Sequence, residues 1–388
     1  MAITIENGIS MGGGISISPP WPPTWLQAYS ATAPTFTGRI VLVNALESIY
    51  NAGSTTMQSS YIRTQITPTA TWTSYTTTPA TSAQFIAVAS SGSVIMAIST
   101  TGQVVTTTDS VTWSTATSLP TLNPSANNAW RFLAYANGTW VAQPGYSNTG
   151  TFTPSGQIAY STNNGSSWTS STSAVTASNW NGLTGAGNNF TMYSQDGHTA
   201  YSTNGSSWTN VAPASSGWPA GIGPYSTPVW TGSQWYMAWS QGTTDQMSYL
   251  TSSNGGTWTG GTMTVTGMSS SSTPTLAYGN STYVIVDPIH KGTCWTSSNG
   301  TTWTANPNAF NYNATWDVPL GYSMFNLIYT NGMFVYYFTA YNSGYVGVVY
   351  TSTNGLKWAE NTTAPSYGSP WIYAGGGDTN QVIFGLNS

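Results

Sequence analysis

From about residue 60 onward the apolar residues of the chain fall into short runs that come in pairs, each pair split by a small polar turn. The pairs are FIAVASSGSVIMAI from Phe85, FLAYANGTWVAQ from Phe132, GLTGAGNNFTMYS from Gly182, PVWTGSQWYMAWS from Pro228, TLAYGNSTYVIV from Thr275, LIYTNGMFVYYF from Leu327 and WIYAGGGDTNQVIF from Trp371. Their central NG, GN and GS pairs are tight-turn signals between β-rich arms. Each pair therefore predicts an apolar β-hairpin, and the chain carries seven.

A more polar motif alternates with the hairpins: STNNGSSW ending at Trp168, STNGSSW at Trp208, SSNGGTW at Trp258, SSNGTTW at Trp303 and STNGLKW at Trp358. A sixth copy, TTDSVTW ending at Trp113, keeps Asp109 where the others carry Asn163, Asn204, Asn254, Asn299 and Asn354. A short strand such as QIAY before Ser161 precedes each copy and a Ser/Thr-rich stretch follows, which places the motif in a hairpin loop. The chemistry of such a loop is local. An Asn or Asp side-chain oxygen accepts hydrogen bonds from turn amides, Gly takes φ > 0, and the Trp folds beneath the turn as an apolar plug. These residues are expected to be scaffold and not ligand contacts.

A hairpin and the motif that follows it supply two inner and two outer strands, the content of one four-stranded blade. The last hairpin lacks a following motif, and its outer strands are expected at the other end of the chain. Residues IRTQITPTATWTS from Ile62 align with IAYSTNNGSSWTS from Ile158, placing Trp72 on Trp168 and offering residues near 60 to 76 to the blade built on 371 to 386. Sharing a blade between the chain ends closes a ring and removes the exposed edges of an open sheet. The tryptophans at 72, 113, 168, 208, 258, 303 and 358 are 41, 55, 40, 50, 45 and 55 residues apart, which suits a four-stranded blade. The expected fold is therefore all-β: a seven-bladed β-propeller over residues 60–388, preceded by an attachment arm over residues 1–59. That arm reads as an alternating strand (ITIENGISM), a GGG break, the segment PPWPPTW, and GRIVLVNALESIY as a strand and a short helix.

Composition narrows the function. Only 4% of residues are charged, against roughly 25% in ordinary soluble domains, so Ser, Thr, Asn and Gly must form the surface. The 19 Trp, 24 Tyr and 10 Phe supply the buriable area that a disordered chain lacks. Five basic residues, Arg39, Arg63, Arg131, Lys291 and Lys357, are too few to neutralise the phosphates of a nucleic acid or to hold an anionic membrane. No run approaches a membrane span, and the N-terminus lacks the basic and apolar regions of a secretory signal, so assembly in a cytoplasm is expected. The single cysteine, Cys294, excludes an internal disulfide and is expected to be a small buried apolar group.

The polar motif resembles the Asp box, S-x-D-x-G-x-x-W, of sialidases and other BNR-repeat propellers, with Asn replacing Asp in most copies. Only the Trp168 copy, with Ser161, Asn163 and Gly165, keeps the full spacing. The resemblance implies the propeller and not the activity. Sialidases clamp a carboxylate with three arginines and use a Tyr–Glu pair and an Asp. Here Arg39 and Arg63 lie in or beside the arm, Arg131 opens a hairpin, and the glutamates are only Glu6, Glu47 and Glu360. No catalytic residue, metal or cofactor is expected.

Other glycosidases need two carboxylates about 5 to 10 Å apart. Asp196, Asp245, Asp287 and Asp317 are expected near the face opposite the boxes, as solvated loop residues. His198 in SQDGHT and His290 in DPIHKG lack a metal-ligand spacing. The aromatic residues of the same loops are Tyr146, Trp180, Trp218, Tyr225, Tyr312, Trp316, Tyr341 and Tyr345. Flat rings beside amides and hydroxyls suit a sugar, so with Asp196, His198, Asp245 and Asp317 they form the candidate binding set; packing against neighbouring loops is the competing role.

The start MAITIENGISMGGGISI, the scant charge and the propeller units together resemble structural proteins of tailed bacteriophage particles. That resemblance implies a non-enzymatic virion surface protein, of capsid or tail fibre, present in several copies. It would attach to other virion proteins through residues 1–59 and bind host surface glycans. A stand-alone lectin and a polysaccharide-depolymerising glycosidase are the alternatives.

Overall fold

The computed structural model describes residues 3–5, 9–11, 15–17, 39–44, 62–64, 73–75, 85–108, 113–114, 117–122, 128–146, 156–171, 174–178, 180–218, 227–240, 242–268, 274–287, 293–310, 325–330, 332–341, 345–360, 371–376 and 381–386. Six antiparallel four-stranded sheets follow one another along the chain, each with its strands side by side in sequence order. The first runs from Phe85–Ser90 to Thr117–Ser118, the second from Asn128–Ala136 to Thr169–Ser171 and the third from Trp180–Ala186 to Thr209–Val211. The fourth runs from Val229–Trp230 to Thr259–Thr264, the fifth from Thr275–Gly279 to Thr304–Asn306 and the sixth from Phe325–Thr330 to Ala359–Glu360. These are the blades of a β-propeller.

The second strand of each blade is buried on both sides, which is why its sequence reads as a continuous apolar run and not as an alternation. In the fifth blade Val284 and Val286 pack toward the sixth, while Tyr283 and Ile285 pack toward the fourth. The core is accordingly divided among the seams between blades. Trp130, Trp140 and Met96 fill the first seam, Phe190 and Trp180 the second, Trp218, Trp235 and Trp258 the third, Tyr236 and Trp295 the fourth, and Phe334, Tyr336 and Trp358 the fifth.

The polar motif forms the turn between third and fourth strands, and four copies share one geometry. Gly205, Gly255, Gly300 and Gly355 take φ of 73°, 79°, 78° and 74° and donate their amides to Ser202, Ser252, Ser297 and Ser352 at 2.8, 2.8, 2.9 and 2.9 Å. The Oδ1 atoms of Asn204, Asn254, Asn299 and Asn354 each accept two amides further along the turn. Each Trp Nε1 donates to the Gly carbonyl of its own turn at 3.0 to 3.2 Å. The longer Trp168 copy keeps the Ser161 and Asn163 contacts but leaves its indole nitrogen buried without a partner, because the extra residue shifts the turn carbonyl away.

Three of these Gly carbonyls, and that of Gly165, also receive a hydrogen bond from the preceding blade. Thr117 donates to Gly165 at 3.0 Å, Thr191 to Gly255 at 2.6 Å, Cys294 to Gly355 at 3.0 Å, and Tyr236 to Gly300. Cys294 is thus fully buried as expected and is a donor as well; burial pushes its thiol up to about 12.

Among the described residues six four-stranded blades are formed, and not the seven expected. The hairpin Trp371–Gly376 and Gln381–Leu386 lies between the sixth and first blades, but its partner is Arg39–Asn44, paired in parallel from Gln381↔Arg39 to Leu386↔Asn44. Ile62–Thr64 and Thr73–Tyr75, expected to pair directly with it as outer strands, pair with each other in a two-stranded sheet that lies beside Arg39–Asn44 and not beside Gln381–Leu386. The sequence explains the exchange. RIVLVN offers four consecutive apolar residues, the composition of a buried parallel strand, whereas IRTQITPTATW is short of apolar residues. Trp72 and Asp109 lie outside the described residues, and Trp113 is half-buried. Ile3–Ile5, Ile9–Met11 and Ile15–Ile17 form their own antiparallel three-stranded sheet.

A loop-face cluster around Asp196 as candidate functional site

The antiparallel order sorts the turns onto two faces. The motif turns and the first-to-second turns lie on one; the second-to-third turns and the connections between blades lie on the other, the loop face. Asp196, Asp245 and Asp287 occupy the second-to-third turns of three consecutive blades, the third, fourth and fifth.

The densest polar grouping on this face is in the third blade. Asp196 Oδ1 accepts from Ser178 Oγ and Ser194 Oγ, both at 2.5 Å, and lies 3.2 Å from His198 Nδ1. Ser178 Oγ is also 3.4 Å from that nitrogen. The turn SQDGH brings the acid and the imidazole onto one side because Gly197 takes φ of 91°, and Ser216 fixes that glycine through its carbonyl at 2.7 Å. Partial burial alone would raise the Asp196 carboxyl; the Ser178, Ser194 and His198 contacts outweigh it and hold the group down at about 2. The carboxylate is therefore ionised throughout the neutral range.

The His198 side chain keeps 25% of its surface and Asp196 keeps 44%. Among the described residues His198 Nε2 has no hydrogen-bond partner. With the Nδ1 proton facing the carboxylate, Nε2 is left as an acceptor for a hydroxyl. The arrangement is not a nucleophile triad, since both serines point at the carboxylate and neither at Nε2.

Of the neighbouring acids, Asp245 is spent on the backbone. Asp245, at φ 60°, accepts from the Gly267 amide at 2.5 Å, and its own backbone bonds Met268 and Val265 of the crossover to the fifth blade. Asp287 is buried, at 1% exposure, and is not the solvated loop residue expected of it.

Two expected ring platforms are core. Trp180 is buried in the seam between second and third blades with its Nε1 on the Thr176 carbonyl at 3.2 Å. Trp218 is buried between Tyr193 and Trp258, with ring centroids 4.8 and 5.0 Å away. Loop tryptophans next to Ser and Gly plug seams here, because the crossover must be sealed where two blades meet. Tyr146, Tyr341 and Tyr345 end or begin strands and their side chains lie outside the described residues, as do Tyr225, Tyr312, Trp316, Asp317 and His290. Of the expected binding residues, Asp196 and His198 are brought together and Asp245 lies in the adjacent blade. Sequence reasoning missed Ser178 and Ser194, both fully buried. Ser194 directly precedes the QDGH turn, a usable signal, whereas Ser178 arrives from the connection between blades and had none. Among the described residues no group of three or more His, Cys, Asp or Glu is placed to hold a metal, and no helix is long and apolar enough to cross a membrane.

No protein-family model matches the chain, and no curated protein matches it. Solved structures do. A structure described as YCF48 bound to D1 peptide is 13% identical, with a TM-score of 0.53 over 79% of this chain and 90% of that one. YCF48 from Cyanidioschyzon merolae is 14% identical, with a TM-score of 0.48 over 76% and 89%. A GH74 enzyme of Niastella koreensis is 17% identical with a TM-score of 0.46, and the match spans 82% of this chain but only 45% of the enzyme. At 13% identity the likeness to the first of these is one of fold, and the fold it gives is the β-propeller.

Proposed function

We propose that the chain is a non-enzymatic binding propeller on the surface of a tailed-bacteriophage particle, attached through residues 1–59, with its loop face turned to host surface glycans. The observation that carries the binding role is the commitment of the loop-face carboxylates to the protein's own donors. A general acid needs a carboxyl raised toward neutrality and free to reach the glycosidic oxygen. Asp196 is held low and occupied by two serines, and Asp245 is tied to the Gly267 amide. What the cluster offers a ligand is His198 Nε2, an acceptor suited to a sugar hydroxyl. The virion setting is supported by the nearly uncharged Ser/Thr/Asn/Gly-rich composition, the opening sequence and the Asp-box-like repeats.

Two measurements test this reading. Cryo-EM of purified particles should find the propeller on the surface with the full chain and not with a chain starting at residue 39; particles lacking it in both cases refute the virion role. The deletion stops at residue 38 because Arg39–Asn44 pairs with the C-terminal strand. On glycan arrays, His198→Ala should lose binding by about tenfold or more, equivalent to about 1.4 kcal/mol. Cleavage of a polysaccharide by the purified chain, abolished by Asp196→Asn or Asp245→Asn, would replace this reading with the glycosidase.

A further inference from the structure

Seven Asn-Gly pairs fall among the described residues, and six of them have a buried glycine. Five belong to the motif turns: Asn164–Gly165, Asn204–Gly205, Asn254–Gly255, Asn299–Gly300 and Asn354–Gly355. In every one the glycine amide donates to the motif serine, at 3.0, 2.8, 2.8, 2.9 and 2.9 Å in that order. In the last four the asparagine oxygen is also held by two amides further along the turn. The sixth buried case, Asn181–Gly182, lies inside a strand of the third blade. The exception is Asn137–Gly138, the hairpin turn between the first two strands of the second blade. Both residues are exposed, both have positive φ (48° and 76°), and nothing lies within 4 Å of where a Gly138 Cβ would stand.

The geometry points to Asn137 as a site of spontaneous deamidation, and to the serine of the motif turn as the shield that spares the other turn asparagines. The Gly138 nitrogen attacks Asn137 Cγ, the N–Cγ bond forms, and the Cγ–Nδ2 bond breaks with release of ammonia. Water then opens the resulting succinimide at either carbonyl, giving Asp or isoaspartate. The attack needs a glycine nitrogen that can shed its proton and an Asn side chain that can turn onto it. Asn137 gives up one exposed hydrogen bond to do so, whereas a motif glycine amide is buried and already donates to a serine oxygen.

The consequence is structural and local. Asn137 Nδ2 donates to the Thr203 carbonyl at 2.8 Å, tying the second blade to the motif turn of the third. Deamidation replaces that donor with a carboxylate oxygen facing a carbonyl, so the tie is lost and a negative charge appears on a surface that carries few. An Asp made within a motif turn would still accept the same amides, which separates the two classes of site by outcome as well as by rate.

The test is peptide mapping by mass spectrometry of the full chain after incubation at mildly alkaline pH in 18O-labelled water, folded and in urea. Folded, Asn137 should incorporate label at least about tenfold faster than any motif asparagine, equivalent to a local opening cost of about 1.4 kcal/mol or more at the shielded turns. In urea the rates should converge. Equal rates in the folded chain would overturn the assignment, and so would a difference that persists in urea, since the sequence around each pair and not the fold would then set the rate.

Discussion

Asp196 shows how much of one residue's behaviour lies outside its own sequence neighbourhood. SQDGHT announces an acid and an imidazole on a tight turn, but the fall of the carboxyl from its ordinary 3.8 to about 2 rests on Ser178, which arrives from the connection between blades, together with Ser194 and His198. The direction has a consequence for stability. A folded value below the unfolded one means that the ionised group stabilises fully above 3.8 and that this contribution is lost as pH falls through 2. Asp196→Asn should therefore lower the thermal midpoint at neutral pH, with the gap to the parent closing between pH 3.8 and 2; a gap independent of pH would mean that the carboxylate's charge contributes nothing. His198→Ala should leave the fold intact, since among the described residues the imidazole's hydrogen-bond partners are only Asp196 and Ser178.

At the scale of elements, the motif turn is both a local cap and a bond between blades. The sequence exposed the first role fully: Ser, Asn, Gly and Trp at fixed offsets carry the reason for their own conformation. The second role was invisible, because where a turn carbonyl has a second donor that donor sits in a strand of the preceding blade and carries no mark of the pairing. Thr191 is the clearest case, donating to Gly255 at 2.6 Å while Trp258 Nε1 donates to the same oxygen at 3.1 Å. Thr191→Val keeps the shape and removes one of the two bonds, so the carbonyl is not orphaned. The expected loss is about 1 kcal/mol in urea unfolding with an unchanged m-value. No loss would show that the indole bond alone satisfies the turn. Trp180 and Trp218 illustrate the opposite error, in which an aromatic in a polar stretch looks like a ligand platform although both rings are sealed into seams.

At the scale of the molecule, the repeats do not by themselves close the ring. The gap between the first and sixth blades is filled by a three-stranded sheet whose outer member comes from the opposite end of the chain. In an array where each blade contacts only its neighbours, losing the last contact exposes two seams at once. A chain starting at residue 45 should therefore unfold at a lower temperature than one starting at residue 39, while the latter stays close to the full chain. Equal midpoints for all three would show that the parallel pair does not hold the ring.

The sequence by itself determined that the chain is a β-propeller of four-stranded blades, where the inner hairpins and the five Asn-bearing motif turns lie, and which face carries Asp196, Asp245 and Asp287. Those features are local: tight-turn residues, β-rich arms and a turn motif repeat within each blade and need nothing from outside it. Only the tertiary structure decided the number of complete blades, the identity of the closing strand and the partners of Asp196. Each of these depends on a competition between segments distant in the chain. The apolar run RIVLVN displaces the weaker IRTQITPTATW at the C-terminal strand, and a serine from one blade connection reaches an acid in a turn, and neither outcome leaves a periodic mark on the sequence.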